Sequence, residues 1–291
     1  MAGKKVAVVD IGSNTVKLFV YRVEGKKIKK LFSESFYLRL LNFVEDGRLT
    51  EEGIQRLIFA LEAFKERLQE LRPDCTFAVA TYVLRVIENR DEVVRRISRL
   101  FEVTVLSGEE EAYYSALGAL LDVKLSECLL FDIGGGSLEV CEIREGEPRF
   151  CKSYPLGTLA FKGSVKNGVV TDLRKVRWTV RHHVNPYDFE MSESDVLVAV
   201  GGSVRALKKV AGKRRIKRKQ LKDIVEKLLK MTPEEISREF DIQLSRALTV
   251  AVAAVVALEL MDIFKCKELL ISKYGIREGL VYKRVVLDGE C

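Results

Sequence analysis

The chain has 291 residues, 47% hydrophobic and 31% charged, with a formal net charge of +7. That suffices for two ordinary domains or one large one around a real apolar core. No apolar run reaches the ~18 residues of a membrane-crossing helix; the longest, Ala247 to Leu258, has the length of a core helix.

The start, Met1-Ala-Gly-Lys-Lys5, leads straight into a strand pattern without an apolar signal region. A cytoplasmic protein is therefore expected. The only histidines, His182 and His183, are adjacent and cannot both aim at one metal from a helix face, which argues against a Ser-His-Asp triad and a histidine-rich metal centre. None of the six cysteines forms a Cys-x-x-Cys pair, and several sit in apolar strand patterns, so buried free thiols are expected rather than disulfides or a metal site.

In chain order, residues 6–35 read as strand, polar turn, alternating strand, hairpin turn and third strand. A helix follows from Thr50 to Leu71, with Thr50 as N-cap, Glu51 and Glu52 in its first turn and Pro73 beyond its end. A strand over 76–80, a helix over 91–101 and a strand over 103–106 come next. Ser107 caps a helix to Leu120 that opens with Glu109, Glu110 and Glu111. Residues 128–157 form a second three-strand unit, followed by a loop at 166–168 and a helix over 171–184. The apolar strand 196–200 ends in Gly201-Gly202-Ser203, where a helix begins. Helices near 218–230, 233–239 and 243–262, a strand over 268–272 and a terminal helix from Tyr274 complete the chain.

The two three-strand units are copies. VAVVDIGSNTVKLFVYRVEG and CLLFDIGGGSLEVCEIREGE align without gaps at an offset of 122, so Asp10 matches Asp132, Gly12 matches Gly134 and Arg22 matches Arg144. That period is too long for a solenoid and implies two similar domains facing each other.

Each copy carries an Asp-Ile-Gly turn. Glycines let backbone amides approach an oxyanion. Ser13, Asn14, Thr15 and Ser137 add donors, and Gly134, Gly135 and Gly136 open the second loop. Asp10 and Asp132 stand at strand ends, where a carboxylate can hold magnesium, or a magnesium-bound water, against phosphate oxygens. Gly202 and Ser203 make a third anion nest at a helix start. The three glutamates at 109–111 suit either a general base or an ordinary acidic helix start. Between Arg205 and Lys222 lie ten basic residues and no acid. Lys208, Lys209, Lys213, Arg214, Arg215, Lys217 and Arg218 from this run are a candidate polyanion track, with a solvated surface as the alternative.

Taken together, Asp10-Ile-Gly-Ser-Asn14, Thr81-Tyr-Val-Leu-Arg85 with Asn89, Ser107-Gly-Glu-Glu-Glu-Ala112, Asp132-Ile-Gly-Gly-Gly-Ser137-Leu-Glu139, Pro155-Leu-Gly157, Gly201-Gly202-Ser203 and Tyr274-Gly-Ile-Arg-Glu-Gly279 resemble the exopolyphosphatase/guanosine pentaphosphate phosphohydrolase (Ppx/GppA) family over essentially the whole chain. The resemblance implies an α/β fold of two duplicated ribonuclease H-like (actin-like ATPase) domains, residues 1–120 and 121–291, with the site in the crevice between them and the terminal helix 275–291 packing back on the first. It implies that Glu111 is the catalytic base, that Arg85 binds phosphate, and that Asp132 and Glu139 hold Mg2+ or Mn2+. Ser13, Asn14, Gly135, Gly136, Ser137, Gly202 and Ser203 match the family's phosphate loops.

The sequence departs from the family at Tyr82, Val83, Val86 and Ile87, which leaves Arg85 without its acidic neighbour. It also shows none of the C-terminal helical region that longer members carry. The expected activity is release of orthophosphate from inorganic polyphosphate, with hydrolysis of guanosine pentaphosphate as the alternative. A sugar kinase or actin-like ATPase is disfavoured by the Ser-Gly-Glu-Glu-Glu-Ala motif, and a nonenzymatic binder of guanosine tetraphosphate or another polyanion stays open. The basic run lacks stacking aromatics, so nucleic acid is not an expected partner. No membrane partner is expected, and a homodimer is compatible with these features.

Overall fold

The computed structural model describes residues 3–161, 163–191 and 193–291. The first lobe opens with β1 (Lys4–Ile11), β2 (Thr15–Glu24) and β3 (Lys27–Tyr37). A short hairpin, β4 (Val44–Glu45) and β5 (Arg48–Leu49), precedes α1 (Glu51–Leu71). Then come β6 (Cys75–Ala80), α2 (Tyr82–Val86), α3 (Arg90–Ile97), β7 (Val103–Val105) and α4 (Gly108–Asp122). The second lobe repeats the opening with β8 (Cys128–Ile133), β9 (Leu138–Arg144) and β10 (Glu147–Tyr154). It continues through the hairpin β11 (Val165–Lys166) and β12 (Val169–Val170), α5 (Leu173–His183), β13 (Val196–Val200) and α6 (Gly202–Ala211). The chain closes with β14 (Arg215–Lys217), α7 (Arg218–Leu228), α8 (Pro233–Phe240), α9 (Leu244–Ile263), β15 (Glu268–Ile271) and α10 (Ile276–Val281).

The duplication is visible in the sheets. The first has the order β3-β2-β1-β6-β7 and the second β10-β9-β8-β13-β15-β14. In each, three antiparallel strands lead into parallel ones, β1 to β6 to β7 and β8 to β13 to β15. These are the two similar halves implied by the repeat.

Caps and apolar spacing set the helices. Thr50 Oγ1 accepts from Gly53 N at 3.3 Å, and Ile54, Leu57, Leu61, Phe64 and Leu68 bury one face of α1. That face and α3 cover one side of the first sheet. On its other side Ile276, Leu280 and Val281 of α10 pack with Val6, Val8, Tyr21 and Val79. The terminal helix thus lies on the first sheet. In the opposite sense α4 packs Ala112, Ala116 and Ala119 onto Leu130, Cys141 and Val198 of the second sheet. The two helices meet between the sheets. Helix α9 is apolar all round, and it alone among the described residues is long and apolar enough to cross a membrane. Here it is the core of the second lobe, buried against the second sheet with α5, α6, α7 and α8 packed around it.

Two expectations need correction, and one strand is an addition. The helix over 91–101 stops at Ile97, because a turn closes there with Leu100 N donating to Ile97 O at 2.9 Å. The basic run enters a helix at Arg218 as expected, but a short edge strand not read from the sequence, Arg215–Lys217, precedes it and pairs antiparallel with β15. The cysteines are not all free: Cys75 is bonded to Cys291 and Cys141 to Cys151, leaving Cys128 and Cys266 as buried thiols. Cys141 and Cys151 face each other across β9 and β10, a register set past the irregularity at Pro148/Phe150. Cys291 reaches Cys75 only because the terminal helix returns to the first sheet.

Candidate active site

Strand ends from both lobes deliver the site. Asp10 lies at the end of β1 and Asp132 at the end of β8, each followed by a tight turn closed by Gly12 N to Thr15 O at 3.2 Å and Gly134 N to Ser137 O at 3.0 Å. The two turns abut. A Cβ on Gly135 would stand 2.7 Å from Asn14 Nδ2, and one on Gly136 would enter the Tyr82 ring. Gly157 backs the second turn closely, since its Cβ would overlap Gly135 C and O at 2.3 Å. Thr158 N and Leu159 N donate to Gly134 O and Gly135 O at 3.0 and 2.8 Å. Pro155-Leu-Gly157 is therefore the support of the triple-glycine turn.

The crevice has a volume of about 100 Å³, and it is lined by Asp10, Ser13, Asn14, Thr15, Glu111, Asp132, Gly134, Gly135, Gly136, Ser137, Gly202 and Ser203. The sequence-derived phosphate ligands are thus brought together. Ser203 Oγ also lies 2.8 Å from Thr249 Oγ1 of α9. Glu111 stands in the first turn of α4, held by a capping box of Ser107 and Glu110. Arg85 Nη1 donates to Glu111 Oε2 at 2.8 Å and to Leu106 O at 3.0 Å, and the Tyr82 ring centroid lies 5.7 Å from its guanidinium carbon. That carbonyl and ring hold Arg85 in place of the missing acidic neighbour.

The cross-strand partners of the two duplicated aspartates carry opposite charge. Across the hairpins Asp10 pairs with Lys17, and Asp132 pairs with Glu139 at the repeat-equivalent position. Asp10 is balanced: Arg277 Nη1 donates to its Oδ2 at 2.8 Å and Lys17 Nζ lies at 3.9 Å. Asp132 accepts from Ser115 Oγ at 2.6 Å, and Glu139 from Ser153 Oγ at 2.9 Å. Glu139 is 1% exposed and sits behind the crevice wall. Burial pushes the Asp132 carboxyl upward, with the Ser115 hydroxyl opposing it. Burial, then the charges of Glu111 and Asp132, push Glu139 well above the usual range. Burial raises Glu111 to about 7, although Arg85 pulls the other way. Among the described residues no three of these carboxylates converge as a ready ligand set. They still form a buried anionic cluster whose donors are the hard oxygens a divalent cation prefers.

Four cations in the crevice wall were not singled out as site residues from sequence: Lys17, Arg205, Arg246 and Arg277. Lys17 was detectable as the repeat partner of Glu139, and Arg277 lies inside the Tyr274–Gly279 motif. Arg246 lies over Gly202, whose Cβ would meet its guanidinium at 1.9 Å. Burial and then Arg277 lower the Lys17 ammonium to about 7. These four side chains also line a second cavity of about 440 Å³, with Phe19, Lys30, Lys273, Tyr274, Glu34 and Glu278. None of Lys208, Lys209, Lys213, Arg214, Arg215, Lys217 and Arg218 lines either of these two cavities. Lys209 pairs with Asp241 at 2.9 Å, Arg215 with Glu268 at 2.5 Å and Arg218 with Asp262 at 2.6 Å, while Arg214 contacts Asp122.

Known proteins resemble the chain along most of its length. The model of the Ppx/GppA phosphatase family matches residues 19–287. Exopolyphosphatase 1 of Mycobacterium tuberculosis is 27% identical over 313 aligned positions, covering 99% of this chain and 89% of the relative. The guanosine-5'-triphosphate,3'-diphosphate pyrophosphatase of Pseudoalteromonas atlantica is 32% identical over 54% of this chain and 32% of its own length. The crystal structure of an exopolyphosphatase from Cytophaga hutchinsonii superposes with a TM-score of 0.86 over 99% of both chains at 21% identity, which fixes the fold. The chain belongs to the Ppx/GppA phosphatase family, whose relatives are phosphoanhydride hydrolases.

Proposed function

We propose that this Ppx/GppA phosphatase releases orthophosphate from the end of an inorganic polyphosphate chain by attack of water. The observation that carries this reading is the shape of the charged space. A crevice of about 100 Å³ on two glycine-rich turns suits one phosphoryl group. The adjoining cavity of about 440 Å³ carries Lys17, Lys30, Arg205, Arg246, Lys273 and Arg277 against only Glu34 and Glu278. Such a basic cavity favours a polyanionic tail.

In the reaction the terminal phosphoryl group lies between Ser13-Asn14 and Gly135-Gly136-Ser137, where backbone amides and hydroxyls stabilise its oxygens. Preorganised donors of this kind are the main catalytic contribution to phosphoryl transfer. Glu111 takes a proton from the attacking water. A carboxylate raised to about 7 is a competent base near neutral pH. Arg85 orients it. The bridging oxygen leaves as the new end of the shortened chain, with Arg205 and Arg246 beside it. Asp132, with Glu139 behind it, would hold Mg2+ or Mn2+, which when bound neutralises charge on the phosphoryl oxygens.

Phosphate release from polyphosphate and from guanosine pentaphosphate, with and without magnesium, tests the reading. Glu111→Gln should lower turnover by about 10²–10⁴-fold while substrate still binds; wild-type turnover in this variant would sink the assignment. The nucleotide substrate is the second reading. Tyr274 in the basic cavity offers a ring for a guanine base, and faster release from guanosine pentaphosphate than from polyphosphate would favour it.

A further inference from the structure

Arg277 is one of the four cations in the crevice wall and comes from the far end of the chain. Its helix start is fixed independently of its side chain. Gly275 N donates to Glu278 Oε2 at 3.0 Å, and Tyr21 Oη donates to Glu278 Oε1 at 2.7 Å. Gly279 nests so closely on α4 that a Cβ there would stand 1.8 Å from Tyr114 O. The guanidinium itself is incompletely partnered. It lies 4.2 Å from the centroid of the Phe19 ring, and its one hydrogen bond among the described residues is from Nη1 to Asp10. Its Nε is buried without any partner, in a residue only 7% exposed. A buried, unused donor on a cation at the junction of two cavities points to an anionic ligand.

We propose that Arg277 binds a phosphoryl oxygen of the substrate and that it and a divalent cation are alternative partners for Asp10. This rests on the phosphohydrolase reading for the identity of the anion. Asp10 and Arg277 line the crevice side by side, and a cation drawn to that carboxylate displaces the guanidinium toward phosphate oxygens, which its planar fork suits. Metal and substrate then bind together because each releases the other's competitor.

Arg277→Met and Arg277→Lys test this by two readouts. The first is Mn2+ affinity without substrate, followed by titration. The second is KM against kcat for tripolyphosphate. In Arg277→Met, Mn2+ should bind at least ~3-fold tighter, since the loss of one charge-assisted contact frees Asp10. KM should rise ~10-fold or more, with a smaller change in kcat. Arg277→Lys should keep near-wild-type Mn2+ affinity and recover only part of KM. Weaker or unchanged Mn2+ binding in the Met variant at an unchanged melting temperature would overturn the competition. An unchanged KM would overturn the phosphate contact. Should Arg277→Met not fold, the Lys variant decides by the same two measurements: wild-type KM overturns the proposal. A wild-type protein inactive on all phosphate chains would refute the proposed function, yet the Mn2+ titration would still test Arg277.

Discussion

At the scale of single residues the site is a set of carboxylates kept from ionising freely. Glu111, Asp132 and Glu139 are all pushed upward by burial, and Glu139 also by its neighbours' charge. The native protein therefore retains protons that the unfolded chain has lost. For Glu111 that window runs from the ordinary value of 4.5 to about 7. With more protons bound in the native state, stability falls as pH rises through this window. The melting temperature of the metal-free protein should accordingly decline between these limits, and added magnesium should flatten the decline by replacing protons as the counter-charge. Turnover should rise with pH over the same range, because Glu111, the proposed base, can take a proton only when deprotonated, and magnesium should move that rise to lower pH. A melting temperature that climbs with pH through the window would contradict this account of the cluster. The apparent values belong to the cluster as a whole, since its members titrate together.

At the scale of elements, α4 and α10 decide whether the two lobes share a site. One carries Glu111 and the other Arg277, and they touch backbone to backbone. A Cβ on Gly118 would lie 1.9 Å from Gly275 O, and one on Gly279 would lie 1.8 Å from Tyr114 O. Neither contact is with a flexible side chain, so one helix must move. Gly279→Ala should cost at least the roughly 1–3 kcal/mol of ordinary overpacking, seen as a lower denaturation midpoint. It should also reduce kcat, because it shifts the helix bearing the proposed base, Glu111. A fully active, equally stable variant would mean that the two helices move freely past one another. This contact is also where sequence reading stops. The repeat made both sheets legible, because strands announce themselves by alternation and an internal copy confirms them. The capping signals at Thr50 and Ser107 located two helix starts to the residue. The six-residue α10 and the five-residue α2 are too short for periodicity to reveal what they pack against. Lys17, Arg205, Arg246 and Arg277 sit on four different elements, and only the assembled crevice gathers them. The disulfides escaped for a similar reason: Cys75 and Cys291 are separated by 216 positions, and burial suits a thiol as well as a bridge.

At the scale of the whole molecule we propose that the excess positive charge continues the cavity as a path in two parts. Asp122 at the end of α4 joins its two parts. Arg214 from the basic run contacts it, Lys273 N donates to it at 2.9 Å, and the Lys273 ammonium lies 3.9 Å away. Lys273 in turn lines the cavity next to the crevice. A phosphate chain that fills the cavity and continues outward would meet Lys273 first and the exposed lysines 208, 213 and 217 later. Contacts made later require a longer chain, so the two groups should separate by substrate length. Replacing Lys30 and Lys273 by Gln should raise KM several-fold for medium and long polyphosphate, with little effect on tripolyphosphate. Replacing Lys208, Lys213 and Lys217 should raise KM only for the longest chains, and that effect should shrink as salt is added, since these side chains are solvent-exposed and screened. Equal effects at every chain length would mean that the basic run acts through the general field of the protein. No effect at any length would mean that it is a solvated surface, with the substrate path ending inside the cavity.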